Sequence, residues 1–200
     1  FEREQRLPWR TRIATGIIKW CLNNFKKYVF LTEAMNVVNE RKRPYIVMEG
    51  MSDRFMATYK RPFEAKDIKV VMYAGGLHER YGLKKLTEAF MMLPQENFRL
   101  KLFGSGPFVE KLKTKYTKKD SRIQYMGVAS NAEVVAAELD ASLLVNPRPT
   151  HEEFTKYSFP SKNIEYMASG TPLLTTKLPG MPKEYLSLIH ISEPTRPISI

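Results

Sequence analysis

The 200-residue sequence predicts an α/β protein built on a Rossmann-like, doubly wound parallel sheet. Short apolar runs alternate with helical patterns along most of the chain, which is typical of parallel strands whose connecting helices cover both faces of a sheet. Glycines follow several of the predicted strands, at the end of the sheet where ligands bind in such folds. Apolar residues make up 43% of the chain, enough for a globular core.

Residues 1–66 predict the end of one domain followed by a linker. Apolar residues at helical spacing predict a helix over residues 10–26, which either packs on a sheet or lies on a membrane surface. A strand is predicted next, followed by a helix, a second strand and the linker. Their ranges are 27–32, 33–41, 45–48 and 50–66.

Residues 67–185 predict a second domain in which strands and helices alternate regularly. The strands are predicted at 70–73, 99–103, 123–125 and 141–145, with a last one starting at Leu173. The helices are predicted at 83–92, 107–116 and 132–139, with a last one starting near Pro160. Ser130 and Glu133 have the spacing of a capping box, which marks one helix start.

The segment over residues 157–172 is the most informative part of the chain. Pro160 suits the first turn of a helix, so we expect the N–H groups of residues 161–163 to be free to bind a phosphate. Glu165 lies one turn further on, where its carboxylate can accept hydrogen bonds from two sugar hydroxyls. Phosphate and sugar recognition within one turn predicts a nucleotide-sugar site.

Four motifs occur in order with regular spacing. They are Tyr73-Ala-Gly75-Gly76-Leu77, Leu102-Phe-Gly104-Ser105-Gly106-Pro107, Met126-Gly127-Val128 and the segment from Pro160 to Pro172. Together they resemble the donor-binding domain of a retaining, two-domain (GT-B) glycosyltransferase, group 1 or family 4-like, of the capsule or exopolysaccharide type. The resemblance covers residues 69–185, with a weaker similarity around residues 47–55. It implies transfer of a hexose or hexosamine from a nucleotide-diphosphate sugar to a saccharide or lipid-linked acceptor, with no cofactor besides the donor.

The resemblance also implies a set of site residues. Those expected to bind the donor are Gly75, Gly76, Gly104, Ser105, Gly106, Val128, Arg148, Ser161, Lys162 and Glu165. Candidates for a catalytic role are Lys162, Arg80 and Glu153. Lys162 and Arg80 are basic groups, which stabilise the charge that develops on a leaving diphosphate, and Glu153 lies slightly upstream of the position where the family often has Glu. Gly76 and Tyr81 stand where the family commonly has Arg and Lys, and Tyr157 stands where it often has Glu. Arg80 is the expected substitute.

Charge and composition limit the partners. The net charge of +11 lies mostly upstream, since residues 1–66 hold 14 Lys and Arg against 7 Asp and Glu. A basic face there would suit an anionic membrane or a lipid-diphosphate acceptor, or else it is a solvated surface. No nucleic-acid recognition motif is found. The histidines lack metal-ligand spacing, so no metal centre is expected.

One cysteine, Cys21, excludes an internal disulfide and favours a cytoplasmic location, with the inner face of the cell membrane as an alternative. Residues 186–196 resemble a translated sequencing adapter, so we expect residues 186–200 to be non-native and to add no packing. The chain also starts without Met and in mid-pattern, so residues 1–66 are interpreted as the remnant of an acceptor domain and the fragment is expected to be inactive alone. Two alternatives stay open: a nucleotide-sugar epimerase on the same scaffold, and a non-catalytic basic binding module.

Overall fold

The computed structural model describes residues 8–52 and 67–187 and the backbone of Ile191–Ser192. Most of the predicted linker, residues 53–66, lies outside the described residues. The first unit begins with helix α1 (Trp9–Asn24) and continues with two parallel strands, β1 (Tyr28–Phe30) and β2 (Tyr45–Val47). A 3₁₀ helix, Glu33–Val38, connects the strands.

The predicted helix over residues 33–41 is thus shorter and tighter than expected. Asn39 ends it, because its side-chain oxygen accepts a hydrogen bond from the Arg43 N–H at 2.8 Å and its amide donates to the Arg43 carbonyl at 2.9 Å. Lys42 between them has a left-handed backbone, with φ of 49°. An asparagine that binds the backbone in this way replaces helical hydrogen bonds with a turn.

Helix α1 lies on the surface, and none of its side chains is buried. Ile17 is 58% exposed and Trp20 is 70% exposed. The expectation that its apolar stripe packs on a sheet is therefore wrong for the part of the chain that the structure describes. The physical reason is that the sheet of β1 and β2 has only three residues per strand, too small a surface to cover a 16-residue helix.

The second domain is a six-stranded, fully parallel sheet. Its strands are β3 (Lys69–Ala74), β4 (Phe98–Phe103), β5 (Ile123–Gly127), β6 (Leu143–Asn146), β7 (Leu173–Thr175) and β8 (Ile191–Ser192). They are arranged in the order β5-β4-β3-β6-β7-β8. This is the strand order of a Rossmann fold. Successive strands are added on one side of β3 as far as β5, and from β6 onward they are added on its other side.

Helices cover both faces of this sheet. They are α2 (Leu83–Met91), α3 (residues 108–119, with a π-helical turn at Leu112–Tyr116), α4 (Asn131–Asp140), α5 (Ser161–Ala168) and α6 (Lys183–Leu186). A 3₁₀ turn, Glu153–Lys156, precedes α5. The predicted capping box is confirmed: the Glu133 N–H donates to Ser130 Oγ, and the Ser130 N–H donates to the Glu133 carboxylate.

Strand β3 divides the core because alternate side chains of a strand point to opposite faces. Val70, Met72 and Ala74 pack with residues of α4, α5 and α6, whereas Val71 and Tyr73 pack with residues of α2 and α3. The Rossmann-like, doubly wound sheet predicted from the sequence is confirmed by this arrangement. Among the described residues, no helix is both long and apolar enough to cross a bilayer.

The tail packs more than expected. Leu186 contacts the α4–α6 side of the core, and the backbone of Ile191–Ser192 pairs with Leu174–Thr175. The expectation of no packing is therefore corrected at these positions. An open parallel edge such as that of β7 accepts any extended segment nearby, so this pairing leaves the predicted non-native origin of residues 186–200 a prediction.

Candidate functional site

The strand order determines where a ligand would bind. In an open parallel sheet the ligand lies beyond the carboxyl ends of the strands, at the point where the strand order reverses. Here that point lies between β3, which ends at Ala74, and β6, which ends at Asn146. The loops after these strands, together with the start of α5, therefore form the candidate site.

The predicted glycine loops pack directly against one another. The Leu77 N–H donates to the Ser105 carbonyl at 2.8 Å, and the Gly104 N–H donates to the Gly127 carbonyl at 2.7 Å. A Cβ on Gly104, whose φ is +123°, would lie 1.9 Å from the Gly75 carbonyl oxygen. Gly104 is therefore required by loop packing, and its contact with a donor stays a prediction.

Two arginines converge on an aromatic pair beside the first loop. The Arg80 guanidinium lies 5.2 Å from the centre of the Tyr81 ring and 5.6 Å from that of Phe154. The Arg148 guanidinium lies 5.0 and 6.0 Å from the same two rings. Arg148 also approaches Ser158 Oγ at 3.4 Å. Neither arginine forms an ion pair with a carboxylate in the part of the chain that the structure describes, so both charges remain available to an anion.

Gly82 explains why the loops after β3 and β6 come together. Its φ is +86°, and a Cβ there would lie 1.9 Å from the Pro147 carbonyl oxygen. Only a glycine permits both this backbone conformation and the close approach. The contact brings the residue after Tyr81 against the residue before Arg148.

Tyr73 is a buried residue near Arg148. Its hydroxyl donates a hydrogen bond to the Gly76 carbonyl at 3.1 Å. Burial raises the pKa of Tyr73 to about 12, although the Arg148 charge acts in the opposite direction. The hydroxyl therefore stays protonated at neutral pH and keeps the first glycine loop in place.

The start of α5 differs from the prediction. The Ser161 N–H donates to the Phe159 carbonyl at 2.9 Å, and the Asn163 N–H donates to the Pro160 carbonyl at 2.8 Å. Two of the three N–H groups expected to face a phosphate are thus already used by the chain. Pro160 precedes the helix, with φ of −77° and ψ of 83°, and this turn redirects both groups toward the backbone.

Lys162 and Glu165 lie together, but they pair with each other. Lys162 Nζ is 2.7 Å from Glu165 Oε2 and 3.5 Å from Glu138 Oε1. Glu138 lies on α4, is fully buried, and was missed by the sequence reasoning. The sequence around Glu138 does not show that this side chain is buried, because burial depends on a contact with Lys162, which lies 24 residues further along the chain.

A buried amide network holds α5 against the sheet. Asn146 Nδ2 donates to Asn163 Oδ1 at 2.6 Å, and Asn163 Nδ2 donates to Thr175 Oγ1 at 3.1 Å. The three residues are at most 4% exposed. Asn146 ends β6, Asn163 lies in the first turn of α5, and Thr175 ends β7. Because buried amides are satisfied only in one geometry, the network fixes the distance between the helix and the strand ends.

The remaining predicted residues are more dispersed. Val128 is 75% exposed and follows Gly127, Ser105 and Gly76 are exposed at their loops, and Gly106 is packed against Leu77. Glu153 is exposed on the 3₁₀ turn, where its neighbour Phe154 contacts both arginines. No cluster of three or more His, Cys, Asp or Glu suited to a metal ion occurs among residues 8–52 and 67–187.

The family comparison concerns most of the second domain. A family model described as glycosyl transferases group 1 matches residues 68–189, which is more than half of the chain. No curated protein sequence matches the chain significantly.

Solved structures share the fold. Sucrose-phosphate synthase from Thermosynechococcus elongatus is 20% identical, with a TM-score of 0.64 over 90% of this chain and 47% of its own. The lipopolysaccharide outer core galactosyltransferase WaaB in its apo form is 17% identical, with a TM-score of 0.58 over 80% of this chain and 45% of its own. A variant of S. aureus TarM, in complex with fondaparinux, alpha-GlcNAc-glycerol and UDP, is 14% identical, with a TM-score of 0.61 over 86% and 34%. The chain thus spans less than half the length of each, and the likeness shows a Rossmann-like half of a GT-B fold.

Proposed function

The chain belongs to the glycosyl transferases group 1 family, and from this membership we propose that it holds the donor-binding half of a glycosyltransferase. The proposed reaction moves a hexose or hexosamine from a nucleotide-diphosphate sugar to a saccharide or lipid-linked acceptor. We further propose retention of configuration, a role in surface-polysaccharide assembly, and a cytoplasmic location that includes the inner face of the membrane. The donor is the only small molecule required in this proposal, as the family resemblance implies.

One observation carries the proposal. Arg80 and Arg148, both without a carboxylate partner among the described residues, meet at the strand-order reversal, where this fold binds ligands. A guanidinium presents paired N–H groups that match phosphate oxygens. The two arginines therefore suit a diphosphate, and this supports the proposal that Arg80 substitutes for the family's basic residues.

The electrostatics also suit the proposed chemistry. When the bond between the sugar and the diphosphate breaks, negative charge accumulates on the diphosphate. Cations already fixed in position lower the barrier because they need no reorganisation during the reaction. Both guanidinium groups contact the Tyr81 and Phe154 rings, and these contacts reduce the rotamer freedom that phosphate binding would otherwise remove.

Glu165 is proposed to bind the donor ribose. It is partly exposed, its carboxylate lies on the same helix that begins beside β6, and one of its oxygens is held by Lys162. TarM supports the donor class only in that its complex contains UDP.

Calorimetric titration tests the proposal. UDP, GDP, ADP and dTDP are each titrated into the wild-type chain and into Arg80→Ala, Arg148→Ala and Glu165→Ala. Each substitution should weaken the tightest nucleotide by about ten- to a hundred-fold, because charge-assisted hydrogen bonds contribute roughly 1.5 to 3 kcal/mol. Lys118→Ala, which removes one exposed positive charge from α3, is the control and should leave the affinity unchanged.

Two results would contradict the proposal. Absence of binding by all four nucleotides would exclude a donor site in this domain, and equal affinities in all variants would place it elsewhere on the surface. For the longer enzyme, conversion of a nucleotide-sugar to its isomer without an acceptor would indicate the epimerase alternative.

A further inference from the structure

Glu138 is a buried carboxylate that has no role in the donor site as proposed so far. Its side chain is fully buried, and neither of its oxygens has a hydrogen-bond partner in the part of the chain that the structure describes. Its nearest cation is the Lys162 ammonium, at 3.5 Å from Oε1. A buried charge that is only loosely paired is costly, so a carboxylate kept at this place requires a reason.

In the part of the chain that the structure describes, the titratable groups found to act on Glu138 belong to α5. They are Lys162, Glu165 and Tyr166, whose ring centre lies 6.0 Å from Lys162 Nζ. Burial raises the pKa of Glu138 to about 7, while Lys162 lowers it and Glu165 raises it. Near neutral pH, Glu138 therefore exchanges between a neutral acid and a carboxylate that attracts Lys162.

Lys162 is shared unequally between two carboxylates. It is in full contact with Glu165 at 2.7 Å and falls short of an optimal contact with Glu138 at 3.5 Å. Charge-assisted N–H···O bonds are about 2.7 to 2.9 Å long, so a shift of the ammonium by less than about 1 Å would complete the second pair. A lysine side chain makes such a shift by small changes of its rotatable bonds.

We propose that Glu138 is a positioning residue for donor binding: it takes over the Lys162 ammonium when Glu165 binds the ribose hydroxyls of a nucleoside diphosphate. This inference rests on the proposed function. A carboxylate that accepts two vicinal hydroxyls uses both of its oxygens, and one of the acceptor positions of Glu165 Oε2 is taken by Lys162 in this structure. Transfer of the ammonium to Glu138 frees that acceptor position and gives the Glu138 carboxylate the hydrogen bond that it lacks.

The inference changes the role expected of Lys162. The sequence prediction has Lys162 bind the diphosphate, but its ammonium lies between two carboxylates. Arg80 and Arg148 have no such partners among the described residues and suit the diphosphate better. Lys162 then determines whether the Glu165 carboxylate is paired or able to accept the ribose hydroxyls. Glu138 acts on the donor only through Lys162.

Two ligands separate this role from a merely structural one. The tightest of the four nucleoside diphosphates contains the ribose, and inorganic pyrophosphate lacks it. Glu138→Gln should weaken the nucleoside diphosphate about tenfold at pH 8 and leave the affinity for pyrophosphate unchanged, because an amide oxygen attracts the ammonium less strongly. Glu133→Gln makes the same substitution on the exposed side of α4 and should change neither affinity.

The pH profile provides a second readout. From pH 6 to pH 8 the wild-type chain should gain affinity relative to Glu138→Gln, since only the ionised carboxylate holds Lys162. The nucleotide ionises in the same way in both titrations, so the effect of its ionisation cancels in the ratio of the two affinities. A ratio that stays constant over this range would overturn the inference.

The double variant Glu138→Gln with Lys162→Met gives the sharpest result. In the single variant Glu138→Gln, the Lys162 ammonium stays paired with Glu165. The second substitution removes this ammonium, so the affinity for the nucleoside diphosphate should return toward the wild-type value. A further loss would show that Lys162 binds the donor directly and would overturn the inference. No nucleotide binding by the wild type would overturn the proposed function as well, whereas binding that Glu138→Gln does not alter would overturn only the role of Glu138.

Discussion

The Tyr166 hydroxyl binds both backbone groups of Ala74. The Ala74 N–H donates to it at 2.9 Å, and it donates to the Ala74 carbonyl at 3.3 Å. Ala74 is the last residue of β3, and Gly75 of the first glycine loop follows it. One fully buried side chain of α5 thus substitutes for a strand neighbour at the position where the sheet ends and the candidate site begins.

We expect Tyr166→Phe to lower the free energy of unfolding by about 1 to 3 kcal/mol, because it leaves a buried N–H without an acceptor. Tyr116→Phe is the matched control: Tyr116 is equally buried, but its hydroxyl contacts the exposed Glu88, which water can solvate once the bond is gone. Urea denaturation of the two variants checks the difference. Equal losses would show that the Ala74 contact contributes nothing beyond an ordinary tyrosine hydroxyl.

Stability should depend on pH through Glu138. Its folded-state pKa of about 7 lies above its ordinary value of 4.5, mainly because of burial. The stability advantage of the neutral acid is therefore complete below pH 4.5 and is lost as the pH rises through 7, an effect of about 3 kcal/mol. Relative to Glu138→Gln, the wild type should become less stable over this range when unfolding is followed from pH 4.5 to pH 8.

Glu133→Gln is again the control for this measurement. The hydrogen bonds from Ser130 hold the pKa of Glu133 below its ordinary value, so its contribution changes only in more acidic solution. The difference between the wild type and this variant should stay flat from pH 5 to pH 8. A flat profile for Glu138→Gln too would mean that Glu138 is not a buried titrating carboxylate.

Gly104→Ala should destabilise the domain by about 3 kcal/mol or more, because the new methyl group meets the Gly75 carbonyl and the backbone keeps a positive φ. Gly16→Ala is the contrasting substitution: it lies within α1, and nothing is found within 4 Å of the added Cβ. That change should stabilise the helix by about 1 kcal/mol. Thermal unfolding of both variants tests whether the Gly104 loop is fixed by packing.

Phe154→Leu should weaken pyrophosphate binding about fivefold, because a cation over an aromatic ring contributes about 1 kcal/mol in a partly exposed site. The substitution keeps an apolar side chain but removes the ring that both guanidinium groups contact. Tyr157→Leu removes a neighbouring exposed aromatic side chain for which no cation contact is found among the described residues, and it should have no effect. Calorimetric titration measures both affinities, and equal losses would argue against the ring contacts.

The order of strands and helices in the second domain was predictable because local patterns determine it. Apolar runs mark β3 and β4, and Ser130 with Glu133 marks the start of α4 by contacts within four residues. The π-helical turn at Leu112–Tyr116 and the extension of α3 to Lys119 were not predicted. Both depend on how the helix packs and continues, which its residue types do not specify.

The sequence predicted which loops meet at the candidate site, but it did not predict how their side chains and the Pro160 turn are arranged. The loops containing Gly75, Gly104 and Arg148 do meet at one end of the sheet, as parallel strands require. The pairing of Lys162 with Glu165 and Glu138 was missed, since whether a lysine is free or paired depends on side chains from another helix. The turn at Pro160 was missed for a related reason, because the ψ of a proline is not determined by its ring.

Thr32 of the first unit donates a hydrogen bond from Oγ1 to the Lys156 carbonyl at 3.0 Å. Lys156 belongs to the same 3₁₀ turn as Phe154, the ring on which Arg80 and Arg148 converge. The first unit is therefore joined by a hydrogen bond to the turn that contains Phe154. We therefore expect a change in the orientation of the first unit to be transmitted through this hydrogen bond to the ring that both guanidinium groups contact.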